Sequence, residues 1–131
     1  MKILIIEDDH LNMKLYCDIL KLNGFEPVTS TNGMDAVELA EKHAPAVILM
    51  DMRLPYKNGL QITQELKSTA HLAHIPVIAL TGFAAPEHRE LCLSNGCDEY
   101  MAKPISIWEL VASVSRILGL PIPDAPKLEA G

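Results

Sequence analysis

Apolar runs and amphipathic stretches alternate five times along this chain. The runs are Ile3–Ile6, a weak Pro27–Thr29, Ala46–Met50, Val77–Leu80 and a short Tyr100–Ala102. Most are continuously apolar rather than alternating, the pattern of strands buried on both faces of a parallel sheet. Between them lie helix-length segments with legible stops. Leu11 to Asn23 carries Leu11, Leu15, Ile19 and Leu22 on one face, the expected core face, and Gly24 comes next as a left-handed cap. Met34 to His43 ends at Ala44-Pro45, because a residue before proline is driven out of the helical region. Leu60 to Ser68 is opened by Lys57-Asn58-Gly59, and Glu87 to Asn95 starts after Pro86 and stops at Gly96. Ser106 to Leu118 opens with the capping box Ser106/Glu109, carries Ile107, Leu110, Val111, Val114, Ile117 and Leu118 as a core stripe, and ends at Gly119.

Strict alternation of strand and helix predicts an α/β fold: a parallel sheet with helices on both faces and right-handed crossovers. One domain is expected over residues 1–118. Residues 119–131 carry Pro121, Pro123 and Pro126 with few apolar anchors, and are read as an extended or mobile tail. The first helix also has a second apolar stripe, Met13, Tyr16 and Leu20. A sheet-flanking helix needs only one buried face, so this stripe is expected to dock a helix of a partner protein. Trp108 flanks the last helix's stripe and is a candidate interface anchor or core edge.

Composition narrows the classes. Hydrophobic residues make up 49% and charged residues 21% of the 131, a globular balance that excludes disorder. A net charge of −6 argues against nucleic acid as the main partner, since phosphate contacts need clustered cations. No apolar run approaches the ~20 residues of a bilayer span, so membrane insertion is not expected. Cys17, Cys92 and Cys97 form no CxxC pair, which fits a reducing cytoplasm. Cys97, after Gly96, is the expected exposed thiol.

In an open parallel sheet, ligands bind beyond the carboxyl ends of the strands. Strand one ends in Glu7-Asp8-Asp9, strand three in Asp51 and strand four in Thr81, while strand five runs into Lys103-Pro104. Carboxylates gathered this way repel unless a cation intervenes. Oxygen-only donors with room for water favour Mg²⁺, for which Mn²⁺ could substitute. A carboxylate beside Mg²⁺ and Lys can attack a phosphoryl group, while a Thr hydroxyl donates to a phosphoryl oxygen. His71 and His74 have HxxH spacing without a third ligand nearby and read as an exposed polar loop.

The segments LIIEDDHLNMKL, LMDMRLPYKNG, IALTG and YMAKPIS resemble those of response-regulator receiver domains, the CheY-like superfamily, over about residues 1–118. The runs EDDHLNMKL, HLAHIPVIALTGF and KPIS further resemble DivK-type stand-alone receivers. The resemblance implies a flavodoxin-like (βα)5 sheet with strand order 2-1-3-4-5. It implies that Asp51 is the phosphoacceptor. Asp8 would ligate Mg²⁺ directly, Glu7 through water, and Arg53 through its backbone carbonyl, with Asp9 outside the metal shell. Lys103 would pair with the phosphoryl group and precede a cis bond to Pro104. Thr81 would be the switch hydroxyl and Tyr100 the switch aromatic, repacking a face made of the fourth helix, fifth strand and fifth helix. Arg53 and Phe83 occupy positions that tune acyl-phosphate hydrolysis, and their bulk predicts slow autodephosphorylation. Gly82 stands where the family usually has Ala or Ser. His10 is a candidate contact for a partner or for the metal's outer shell.

The expected protein is a cytoplasmic monomer or weak dimer of a two-component phosphorelay. It would take a phosphoryl group from a histidine kinase or phosphotransferase, catalysing that transfer itself, and act on a protein partner in trans, as in DivK-like control of cell division or polarity. Alternatives are a relay intermediate or chemotaxis-type receiver, a receiver that works without phosphorylation, and an aspartyl-phosphate hydrolase. Against the hydrolase, Arg53 stands where a second Asp is normally found. A nucleotide- or flavin-binding module would need a Gly-rich loop after strand one, where Glu7 and Asp8 stand instead.

Overall fold

A computed structural model describes residues 1–82 and 86–124. The apolar runs form five parallel strands: β1 (Lys2–Ile6), β2 (Glu26–Ser30), β3 (Val47–Asp51), β4 (Val77–Thr81) and β5 (Glu99–Ala102). They lie in the order β2-β1-β3-β4-β5. The intervening helices are α1 (His10–Leu22), α2 (Ala36–His43), α3 (Gly59–Ser68), α4 (Pro86–Ser94) and α5 (Ile107–Ile117). Every residue of β3 and β4 is buried, whereas edge strand β2 is mostly half-buried or exposed. That gradient explains why the β2 run is the weak one in the sequence: an edge strand needs less apolar side chain.

Alternation along each strand divides the core in two. Ile3, Ile5, Val47, Leu49, Ile78 and Leu80 face α1 and α5, packing on Ile19, Leu20, Leu110, Val111 and Val114. Leu4, Ile6, Ile48, Met50 and Ala79 face the other helices, packing on Ala36, Ala40, Ile62, Leu66 and Cys92.

The facing of α1 corrects the expectation from the sequence. Met13, Tyr16 and Leu20, expected to await a partner, are buried in the core, while Leu11 is 81% and Leu15 41% exposed. Two stripes of similar spacing run along this helix, and periodicity cannot say which faces inward. Its rotation is set where it leaves β1. The Asp9 amide donates to Glu7 Oε2 at 3.2 Å, and Asp9 Oδ1 accepts from the Asn12 amide at 3.0 Å, capping the helix in that orientation. Cys97 is also buried rather than exposed. It sits in the second core with its Sγ 3.9 Å from Thr63 Oγ1.

Past α5, Gly119 takes a left-handed conformation at φ 70°. Its amide donates to the Arg116 carbonyl, and the Leu120 amide to the Ser115 carbonyl at 2.8 Å, a Schellman closure. The chain thereby reverses, and Trp108 Nε1 donates to the Pro123 carbonyl at 3.1 Å. Residues 119–124 of the expected tail thus lie back along α5; residues 125–131 are outside the described part of the chain.

Candidate functional site

In this strand order the carboxyl ends of β1 and β3 are neighbours, and the helices that come after them leave on opposite faces of the sheet. A crevice opens at that switch point. Glu7, Asp8, Asp9, His10, Asn12, Asp51, Arg53, Gly82 and Lys103 line it, enclosing about 600 Å³. Carboxylate oxygens of Glu7, Asp8 and Asp51 lie within 4.8 Å of one another. Glu7 and Asp51 are buried and Asp8 is exposed at the mouth. Asp9, committed to capping α1, stands outside this trio.

Lys103 reaches the cluster from the loop after β5. Its Nζ donates to Glu7 Oε1 at 2.9 Å and lies 3.3 Å from Asp51 Oδ2. The Lys103-Pro104 peptide bond is cis. The Arg53 amide donates to Asp51 Oδ1 at 3.0 Å, so the β3–α3 loop holds one carboxylate oxygen and leaves the other toward Lys103. Gly59 permits this loop path: a Cβ there would stand 2.5 Å from the Asp51 carbonyl oxygen and 2.9 Å from Met52 Cα. Asn58 and Gln61 then start α3 with a reciprocal capping box.

Burial sets the electrostatics of the cluster. Desolvation, aided by a hydrogen bond with Glu7 and by that residue's charge, pushes the Asp51 carboxyl up to about 7; the Arg53 amide and Lys103 oppose it. Burial alone would lower Lys103, but its hydrogen bond to Glu7 and the Asp51 charge outweigh that and hold it above its ordinary range. The trio is thus short of positive charge. A hard divalent cation fits the donor set, which offers carboxylate oxygens only, has one of them at an open mouth, and leaves space for water.

Thr81, at the end of β4, is buried. Tyr100 on β5 is half-buried, and its ring meets that of His88 edge-to-face at 6.4 Å. Tyr100, Ala102, Pro104 and Trp108 share a groove of about 420 Å³ with Glu99 and Arg116. Phe83 lies outside the described residues. His10 is exposed at the rim of the crevice. Trp108 is 47% exposed, away from the carboxylates. His71 Nε2 meets Glu41 on the surface at 3.4 Å.

The sequence pattern placed Tyr16 on the outer face of α1 and so missed its position near the site. The residue is 3% exposed and borders a groove with Lys103 and Pro104. Burial, with the nearby charge of Glu7, pushes its hydroxyl up to about 12. Its i, i+3 and i+4 spacing from Met13 and Leu20 was the available signal, but the rival stripe carried the same one.

The response regulator receiver domain profile matches residues 3–115. The chain belongs to the response regulator receiver domain family. It is 42% identical to the polar-differentiation response regulator DivK of Brucella anthropi over 117 residues, 89% of this chain and 95% of that protein. Among solved structures it resembles the receiver domain of a sensor histidine kinase from Pseudomonas aeruginosa, with 35% identity, TM-score 0.83, and 90% and 97% of the two chains covered. That structure has a magnesium ion coordinated in its active site cleft. The Vibrio cholerae chemotaxis protein CheY4 shares the fold at TM-score 0.84 and 23% identity, over 89% of this chain and 98% of that one. Receiver domains work in two-component signalling with histidine kinases and phosphotransfer proteins, and bind Mg²⁺ in their acidic site. Among the described residues no helix is long and apolar enough to cross a membrane.

Proposed function

We propose that this receiver accepts a phosphoryl group on Asp51 from the phosphohistidine of a kinase or phosphotransfer protein and thereby changes its protein contacts, in a DivK-like role. The observation that carries this reading is the placement of Asp51: a buried carboxylate at the switch point, one oxygen held by the Arg53 amide and the other 3.3 Å from Lys103.

In the transfer, an Asp51 carboxylate oxygen attacks phosphorus, the P–N bond to the donor imidazole breaks, and the imidazole leaves with that electron pair and takes a proton. The product is an acyl phosphate. Glu7, Asp8, Asp51 and the Arg53 carbonyl would hold Mg²⁺, or Mn²⁺ in its place, which supplies charge neutralisation for the phosphoryl oxygens. Lys103 neutralises a further oxygen and keeps the carboxylate oriented. Thr81 donates its hydroxyl to the phosphoryl group, which carries ~2 negative charges, and Tyr100 turns into the space that Thr81 vacates. Arg53 limits access of the attacking water and prolongs the acyl phosphate. His10, at the crevice rim, contacts the donor.

Incubation with acetyl phosphate and Mg²⁺ tests the reading. A mass increase of one phosphoryl group is expected for the wild type and none for Asp51→Asn. Labelling that persists in Asp51→Asn, or is absent from the wild type, refutes it.

A further inference from the structure

The acidic crevice has a neighbour. A second groove, of about 360 Å³, is bordered by Asn12, Leu15, Tyr16, Lys103, Pro104 and Ile105. Asn12 and Lys103 line both spaces, so the Lys103 side chain stands as a partition between them. Its charged tip is held on the crevice side by Glu7 Oε1 at 2.9 Å and Asp51 Oδ2 at 3.3 Å. A lysine has a flexible four-carbon stem, and the groove gives this one a second place to lie. Something must keep it beside Asp51.

Tyr16 borders the groove and is itself immobile. It is packed into the core with Met13, Ile19 and Leu20, on a helix whose rotation is fixed by the Asp9 cap. A phenol buried this deeply normally finds a polar partner. The charged groups that act on its hydroxyl are Glu7, Lys103, Asp51 and Asp9, all of them residues of the crevice. Burial, aided by the charge of Glu7, keeps that hydroxyl protonated up to about 12, with Lys103 acting the other way. An ammonium group has three hydrogens to donate. The two carboxylates take two, and the third can take another acceptor. Leu15, Pro104 and Ile105 have no polar side-chain atom to offer, which leaves the Tyr16 hydroxyl and the Asn12 carboxamide among the side chains of the groove. Of these two, Tyr16 is the one locked in the core.

We propose that Tyr16 is a positioning residue for Lys103: its ring bars the stem from the groove, and its hydroxyl oxygen accepts the third ammonium hydrogen, directly or through one water. This rests on the reading of Asp51 as phosphoacceptor and deepens it. With Tyr16 in place, Lys103 stays where an incoming phosphoryl oxygen meets it, and Tyr16 itself touches neither the donor nor the phosphorus. A rigid aromatic side chain thereby supports a flexible cation.

The rate of acetyl phosphate labelling of the full chain, at fixed Mg²⁺, tests this in a double-mutant cycle. Tyr16→Phe keeps the ring but removes the acceptor, and should slow labelling about two- to tenfold, the worth of one neutral hydrogen bond. In a Lys103→Met background the same change should have no further effect. A rate unchanged in Tyr16→Phe, or an equal loss in both backgrounds as a purely structural role would give, overturns the proposal. Nitrogen-15 spectra of the lysine ammonium groups, recorded without phosphodonor and assigned with Lys103→Met, supply a second readout. The Lys103 resonance should move in Tyr16→Phe while those of the other lysines hold. A Lys103 resonance that stays in place refutes the pairing. If the wild type fails to label, the phosphoacceptor assignment falls and the ammonium resonance decides the pairing with Tyr16; it decides equally if Lys103→Met labels too slowly to time.

Discussion

Asp51 shows how a single residue acquires chemistry from its surroundings. As a free side chain it would be ionised near pH 4. Buried beside Glu7 it keeps its proton up to about 7. Between those two values the folded metal-free protein holds a proton that the unfolded chain has released. Stability from this group is therefore full below pH ~4 and is lost as pH rises through about 7. A divalent cation competes with that proton, since its ligands must be deprotonated. Calorimetric Mg²⁺ titrations should show affinity rising up to tenfold per pH unit below 7 and levelling above it. Affinity that stays flat from pH 5 to 8 would mean that Asp51 is already ionised. The identity of Asp51, Glu7, Asp8 and Lys103 as candidates was readable from their positions at the carboxyl ends of the apolar runs. The coupling between them was not, because the 2.9 Å contact of Lys103 with Glu7 joins residues 96 apart in sequence.

Helix α1 carries the clearest lesson at the scale of elements. Ten elements were legible from periodicity and stop signals, with boundaries within about two residues. Which face of α1 is buried was not, since both stripes recur at helical spacing. The structure makes opposite forecasts for the two. Leu20→Ala removes a side chain with no exposed surface and should cost about 2–5 kcal/mol in urea unfolding. Leu11→Ala, on an 81% exposed side chain, should change stability by less than about 0.5 kcal/mol. Equal costs would mean that the helix is rotated from the orientation described. Cys97 is a smaller case of the same kind. Its position after Gly96 suggests a loop, yet the second core closes over it, and burial pushes its thiol up to about 11. It should therefore be unreactive in the folded state.

For the molecule as a whole, the crevice and the groove around Tyr100 are tied by β4, β5 and the loop into α5. Thr81 and Ala102 are register partners in the sheet, and Lys103 and Pro104 lead directly from the crevice to Trp108. Trp108 is the only tryptophan in the chain and borders the groove that contains Tyr100. If phosphorylation repacks that groove, acetyl phosphate with Mg²⁺ should change the intensity or wavelength of tryptophan emission in the wild type. The Asp51→Asn variant should show no change under the same conditions. An unchanged wild-type spectrum in a fully phosphorylated sample would place the switch elsewhere on the surface.

The sequence by itself determined the fold class, the succession of elements and the residues of the acidic crevice. Continuous apolar runs alternating with amphipathic helices fit a parallel sheet covered on both faces, and the chemistry of such a sheet gathers at its carboxyl ends. The family was legible in four short motifs at those ends. What only the tertiary structure decided was relative placement: the inward rotation of α1, the burial of Tyr16 and Cys97, and the return of residues 119–124 along α5. Each depends on contacts between residues far apart in the chain. Local periodicity records how often an apolar side chain recurs, but not which neighbour it will meet.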